Sequence, residues 1–342
     1  MVSRAPLVSA RDPLGTDGGV DALGGSRSAG AGGDGAADVT PGAPSVSILV
    51  ASRNRAGSLR ALLDSLELLE PPPIPWEIVV ADSASTDETP AMLAAWRAAD
   101  PRRGEGRRML RLDVPGKSRA LNASFEIARG SLFAFLDDDV TPDRSWLREV
   151  VAYFADNDCA AAQGSVHWPP EAEADPEIRR RLECYRTIVR VVLPARSRPL
   201  DLVGANMAIR RSTIERVGGF DERLGAGAIG CGEDTELGHR VLRLGGWIGY
   251  MESAVVVHDV DPGRLTEEYF RDYHRRLGRS DQLYRQRSPL TWTLPKLVKS
   301  EVRFAAYRLT GDAARAYAAR ARCLQYAEML RTAWQRRRAT RG

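Results

Sequence analysis

The chain has 342 residues, 43% hydrophobic and 27% charged, enough to bury one large core or two smaller ones. Its formal net charge is only +4 and its arginines crowd the C-terminal third, so attraction to phosphate or anionic lipid is expected to be local, and nucleic acid is not implied as a partner. There is no apolar run of about 18 residues and no signal-peptide core, and Cys159, Cys184, Cys231 and Cys323 are too scattered for a zinc site or a disulfide framework; the expected place is the cytoplasm, with peripheral attachment to the inner membrane face open.

Residues 1–44 are rich in Gly, Ala, Ser and Asp and hold few bulky side chains, which predicts a disordered arm. Val46 to Val50 is a β-branched run, and Leu59, Leu62, Leu63, Leu66 and Leu69 follow at helical spacing. Pro71-Pro72-Pro73 ends that helix, Glu77 to Val80 begins a second strand that closes at Asp82, and a second helix runs from beyond Asp87 to Trp96. Met109 to Leu112 is a third strand, with Leu121, Phe125 and Ile127 marking the helix after it. Ser131 to Leu136, a short apolar run between a glycine and three acids, reads as a strand buried on both faces. Strands alternating with helices predict an α/β fold on a mostly parallel sheet.

The run ends in Asp137-Asp138-Asp139, and ligands of open α/β sheets bind outside the carboxyl ends of strands. Adjacent carboxylates repel, and Asp137 and Asp139 leave the strand on one face, which suits a divalent ion shared with substrate phosphates. The plain alternative is an acidic turn capping the helix that starts near Arg144. Two glycine patterns fail their tests. Gly116-Lys117-Ser118 has Arg111 where the first glycine of a phosphate loop belongs, and Gly225-x-Gly227-x-x-Gly230 follows no apolar strand, so a mobile surface loop is expected there.

Taken in order, Ser52-Arg53-Asn54-Arg55, Val79 to Asp87, Gly116 to Asn122, the acidic triplet, Gly204 to Arg211 with Val217 to Glu222, Gly232-Glu233-Asp234-Thr235-Glu236-Leu237 and His258 resemble the family 2 glycosyltransferases, over about Val46 to Ser280. The resemblance implies a GT-A fold over residues 45–285, a DxD motif, and a nucleoside-diphosphate sugar as donor, with uridine the expected base. It also implies a donor site at Ala51, Ser52, Arg53, Asp82, Lys117, Asp137 and Asp138, with Asp82 accepting from the base and Asp137 near the ribose or donor sugar. Two departures stand out. Ser83-Ala84 replaces the usual Asn/Asp-Gly after Asp82, and Leu121 stands before Asn122 where Arg is common.

Sugar transfer needs charge neutralised on a departing diphosphate and a base for the acceptor's proton. Asp139 and His258 are the expected metal ligands, for Mn²⁺ or Mg²⁺, the imidazole tilting toward Mn²⁺. Asp234, at a predicted helix start, is the candidate base; an N-cap is the plain reading of an Asp there. Asp82 has an Asx-turn alternative, through the amides of Ser85 and Thr86, and His258 that of a histidine beside a core strand. Arg276, with Arg275 and Arg279, is a diphosphate clamp or a solvated face. His167 to Arg198 is expected to shape the acceptor side. Residues 286–342 form a basic helical extension in which the helix carrying Tyr317 and Trp334 can lie on an anionic membrane. Two other readings are a non-catalytic module that binds sugar nucleotides and a nucleotidyltransferase of related fold. The intact acids oppose the first, and Ser52 to Arg55 lacks the glycine cluster of the second. The acceptor is not named by any pattern.

Overall fold

The structure is a computed structural model describing residues 46–100 and 106–339, together with a two-residue strand β1 (Leu7–Val8). Apart from β1, the arm over residues 1–44 lies outside the described residues. The first half alternates strand and helix as β2 (Val46–Ser52), α1 (Ala56–Leu66), β3 (Trp76–Ser83), α2 (Thr89–Ala98), β4 (Arg107–Leu112), α3 (Lys117–Ile127) and β5 (Leu132–Leu136). There follow β6 (Val140–Pro142), α4 (Trp146–Asp156), β7 (Ala161–His167), α5 (Pro170–Ala174), α6 (Pro176–Tyr185), β8 (Arg198–Pro199), β9 (Asn206–Arg210), α7 (Arg211–Val217), α8 (Glu233–Arg243) and β10 (Ile248–His258). The chain closes with α9 (Glu267–Arg285), α10 (Leu294–Leu309) and α11 (Ala313–Ala339).

Eight strands form one sheet in the order β4-β3-β2-β5-β9-β7-β10-β6, and β1 pairs in parallel with β8. The strands from β4 to β5 are mutually parallel, as the βα alternation requires. β9 then enters antiparallel between β5 and β7, and β6 lies antiparallel on β10, which makes the sheet mixed. Alternate residues of each central strand feed opposite cores. Val46, Ile48 and Val50 pack with α1, α2 and α4 through Leu59, Leu63, Leu93 and Trp146. Leu49, Val79, Phe133 and Phe135 pack with α3, α7 and α8 through Leu121, Ile214 and Leu237. Helices on both faces therefore leave only the strand ends free to build a site.

The joint between the two halves of the sheet is polar and fully bonded. Asn206 is fully buried; its amide donates to the carbonyls of Ser165 (2.9 Å) and Ala254 (2.8 Å), and its carbonyl oxygen accepts from Trp146 Nε1 (2.9 Å). A Cβ on Gly164 would lie 2.3 Å from Asn206 Nδ2, so only glycine admits this side chain. None of the four cysteines forms a disulfide. Among the described residues no helix is long and apolar enough to cross a membrane.

Candidate active site

The carboxyl ends of β2, β3 and β5 bring Ser52, Asp82 and Asp137 to one edge of the sheet. β6 pairs with β10 so that His258 lies opposite Val140, and the Asp259 amide donates to the Asp139 carbonyl at 2.9 Å. A histidine 119 positions beyond the acids in sequence is thereby fixed beside them by backbone register. One ligand atom each from Asp137, Asp139 and His258 falls within 4.8 Å of the others, a grouping that can hold a metal ion. His258 Nδ1 lies 2.9 Å from the Asp259 carbonyl. A carbonyl can only accept, so Nδ1 carries a proton there, and Nε2, the nitrogen left to pair with Asp139 or with an ion, stands 3.6 Å from Asp139 Oδ1.

Cations from several segments balance the acids. Arg55 Nη1 is 3.0 Å from both Asp138 Oδ1 and Asp139 Oδ2, and Arg264 Nη1 is 3.4 Å from Asp139 Oδ2. Burial works against ionised Asp139, but His258, Arg55 and Arg264 prevail and hold its pKa below the ordinary value. Asp138 is different. Burial outweighs Arg55 and the Ser52 hydroxyl, which donates to it at 2.6 Å, and lifts its pKa to about 6. Lys117 Nζ meets Asp137 Oδ1 at 2.5 Å and Glu233 Oε1 at 3.4 Å; burial alone would lower its pKa, and these two carboxylates raise it instead. Glu233 is itself pushed up by burial, against the pull of Lys117.

Asp234 joins the same cleft, which is lined by Lys117, Leu121, Asp137, Gly204, Phe220, Glu233 and Asp234. An added Cβ on Gly204 would sit 3.3 Å from Lys117 Nζ, 3.7 Å from Asp137 Oδ1 and 3.8 Å from Asp234 Oδ2, so the three groups converge on that one glycine. Asp234 is not an N-cap. Gly232 occupies that position at φ 92°, and Asp234 instead accepts from the amides of Gly204 (2.9 Å) and Thr235 (2.7 Å). Asp82 is fully buried and accepts from the Ser85 amide at 3.0 Å, as the Asx-turn reading has it, while the Thr86 amide turns to Asn54 Oδ1 at 2.7 Å. Its other oxygen has no hydrogen-bond partner, although Arg111 Nε stands 3.4 Å away.

Ala51 is a half-buried strand residue and Arg53 is exposed; Arg55, two positions on, is the arginine that reaches the acids. Arg276 pairs with Asp272 at 2.9 Å and Arg279 with Glu328 at 3.5 Å, so the expected clamp is engaged within the helices. Arg276 and Arg264 both stack on the Tyr269 ring, and of the two it is Arg264 that touches the acids. Arg264 gave no signal in the sequence, because a lone arginine in a Pro-Gly-Arg turn resembles any surface residue. The loop from Gly225 to Gly230 lies at the surface, as expected of a glycine pattern that follows no strand. Its tip is exposed, and its glycines pass close to neighbouring backbone: a Cβ on Gly227 would meet Gly116 at 3.2 Å and one on Gly230 the Arg276 carbonyl at 2.8 Å. Asn122, whose place the departure at Leu121 left open, clasps Phe220 with its amide donating at 2.9 Å and its carbonyl oxygen accepting at 2.7 Å.

A mixed α/β sheet ending in these acids defines a GT-A glycosyltransferase architecture. The sequence model of Glycosyl transferase family 2 matches residues 47–218, and the chain belongs to that family. Among curated relatives, a pre-mycofactocin glycosyltransferase of Mycobacterium tuberculosis is 28% identical over 227 residues, covering 64% of this chain and 44% of that protein. A β-monoglucosyldiacylglycerol synthase of Synechocystis is 29% identical over 189 residues, covering 53% and 38%. The chain thus spans less than half the length of these two relatives. Among solved structures, a mannosyltransferase of Pyrobaculum calidifontis, in complex with GDP-Man and Mn²⁺, superposes with a TM-score of 0.56 at 22% identity, covering 87% of this chain and 89% of that one. GalNAc-T7 with UDP, GalNAc and Mn²⁺ superposes at 0.51 with 15% identity, covering 75% and 51%.

Proposed function

We propose that this chain is a metal-dependent glycosyltransferase that moves a sugar from a nucleoside-diphosphate donor, uridine being the expected base, to an acceptor hydroxyl with inversion at the anomeric carbon. What carries the reading is the convergence at one cleft of a ligand set (Asp137, Asp139 and His258, within 4.8 Å) with a carboxylate, Asp234, that meets Asp137 around Gly204. Two carboxylates and an imidazole freed to offer Nε2 fit Mn²⁺ or Mg²⁺, with Mn²⁺ favoured by the nitrogen. An ion bound there supplies neutralisation of the charge that develops on the departing diphosphate.

The protein's own residues do the rest. Asp82 offers a base N–H its buried oxygen, which has Arg111 nearby but no hydrogen bond, beside Ser52 and Arg53. Lys117 stands ready for phosphate oxygens from its place against Asp137. Asp234, aligned by the amides of Gly204 and Thr235, takes the acceptor's proton as the new C–O bond forms and the bond from the anomeric carbon to the diphosphate oxygen breaks. A single displacement of this kind inverts the centre, by analogy with inverting glycoside chemistry. The solved relatives carry Mn²⁺ with either GDP-Man or UDP, which supports the donor class but leaves the base to experiment. The expected partner of the basic extension, an anionic membrane surface, belongs to the same reading, since an acceptor anchored in lipid would meet a protein lying on the bilayer. The segment from His167 to Arg198 is the proposed acceptor side.

Glu233 is a second candidate base, because it lines the same cleft beside Asp234 and burial raises its pKa. One experiment sorts these readings. The purified chain is given Mn²⁺ and a panel of uridine and guanosine sugar nucleotides, and release of free nucleoside diphosphate is followed. Asp234→Asn is expected to abolish turnover and keep donor-dependent thermal stabilisation. Unchanged turnover in that variant, with loss in Glu233→Gln, would move the base to Glu233; no release of nucleoside diphosphate, with pyrophosphate formed instead from a nucleoside triphosphate and a sugar 1-phosphate in a parallel reaction, would mean a nucleotidyltransferase.

A further inference from the structure

We propose that α10 is the surface by which this chain docks on an anionic membrane, with Leu294, Val298, Val302 and Leu309 entering the lipid interface. The proposal deepens the membrane-facing reading of the extension and rests on it. Those four side chains are 41%, 55%, 65% and 90% exposed. At about 100° per residue they fall within a stripe about 80° wide, and Ala305 lies inside it. Ser300 is the only buried residue of this 16-residue helix. Leu290, just before the helix, is exposed as well and lengthens the apolar edge.

The charge around the stripe selects the partner. Lys299 and Arg308 flank it on opposite sides, and the one carboxylate of the helix, Glu301, engages the buried Cys323 thiol on α11. Residues 286–342 hold thirteen Lys and Arg against three Asp and Glu, a net +10, and since the whole chain is +4, residues 1–285 carry −6. An apolar stripe between basic residues matches a bilayer interface, where lipid tails take the apolar groups and anionic headgroups take the cations. Pairing two copies through α10 would instead press two extensions of net +10 together.

α11, the helix that its composition favours for this role, is committed inward. Tyr317 packs on Tyr185 and Phe270 with centroids 5.2 and 5.4 Å away, and Ala316, Ala319, Met329 and Ala333 are buried. Trp334 remains exposed but stands away from the stripe, on a different helix.

The test is cosedimentation of the full chain with vesicles of phosphatidylglycerol and phosphatidylcholine, against phosphatidylcholine alone. The wild type is expected to sediment with the anionic vesicles and to be released by salt. Val298→Asp with Val302→Asp is expected to cut partition by about tenfold or more, while Trp334→Ser stays within about twofold of wild type. Both substituted valines are solvent-exposed, and an unchanged melting temperature together with unchanged sugar-nucleotide hydrolysis shows that fold and transferase site are intact. Wild-type chain that ignores anionic vesicles overturns both the α10 proposal and the membrane reading. A double variant that sediments like wild type overturns the α10 proposal alone. A dimer that the double variant dissociates, with no vesicle binding by the wild type, overturns it in favour of a second copy.

Discussion

Three consecutive carboxylates at the end of β5 are held by cations drawn from three segments: Arg55 after β2, Lys117 at the start of α3, and Arg264 after β10. Arg55 shares Asp139 with the proposed metal, so the two compete for one carboxylate. Arg55→Gln is expected to bind Mn²⁺ several-fold more tightly in the absence of nucleotide, as read from the free Mn²⁺ signal in electron paramagnetic resonance. Without the metal the same variant should lose about 1–2 kcal/mol, because Asp138 and Asp139 stay buried with one partner fewer. Weaker Mn²⁺ binding would mean that Arg55 positions Asp139 for the ion. Ala84 carries a separate cost. It stands at φ 58°, where the family pattern has glycine, and an alanine Cβ is strained in that left-handed region. Ala84→Gly is therefore expected to raise stability by about 0.5–1 kcal/mol in urea unfolding, the relief of strain outweighing the glycine's extra chain entropy.

Between elements, the packing of α9 on α6 and α11 turns on a histidine. His274 is buried, its Nε2 3.1 Å from the Tyr185 carbonyl and its Nδ1 receiving the Gln325 side-chain amide at 3.0 Å. Burial, helped by Arg186 and opposed by the Tyr185 carbonyl, depresses its pKa to about 4. The folded state thus prefers the neutral ring, and the unfolded chain binds the proton first. Stability from this group is fully present above about pH 6.5 and falls away as pH drops toward 4, by about 2–3 kcal/mol. Asp138, with its raised pKa, shifts stability the opposite way over part of that range. The check is accordingly the difference between wild type and His274→Gln in melts at pH 7.5 and pH 5. The gap should narrow at the lower pH, and a constant gap would refute the assignment. Element boundaries were legible to the same depth. Leu59, Leu62, Leu63 and Leu66 are all buried in α1, but Leu69 falls past its end, and the antiparallel entry of β9 left no trace in its residues.

For the whole molecule, the sequence by itself determined the alternation of strands and helices, the acids at the end of β5 and the basic balance of the extension. These follow from local periodicity, turn chemistry and charge count, which neighbouring residues settle among themselves. Only the tertiary structure decided that His258 faces Asp139, that Gly204 brings Asp234 to Asp137, that Arg55 and Arg264 neutralise the acids, and that α10 rather than α11 keeps its apolar side exposed. Each of those outcomes depends on strand register or helix packing between residues far apart in the chain. Pairing of that kind is set by which surfaces bury one another, and no short stretch of sequence records it.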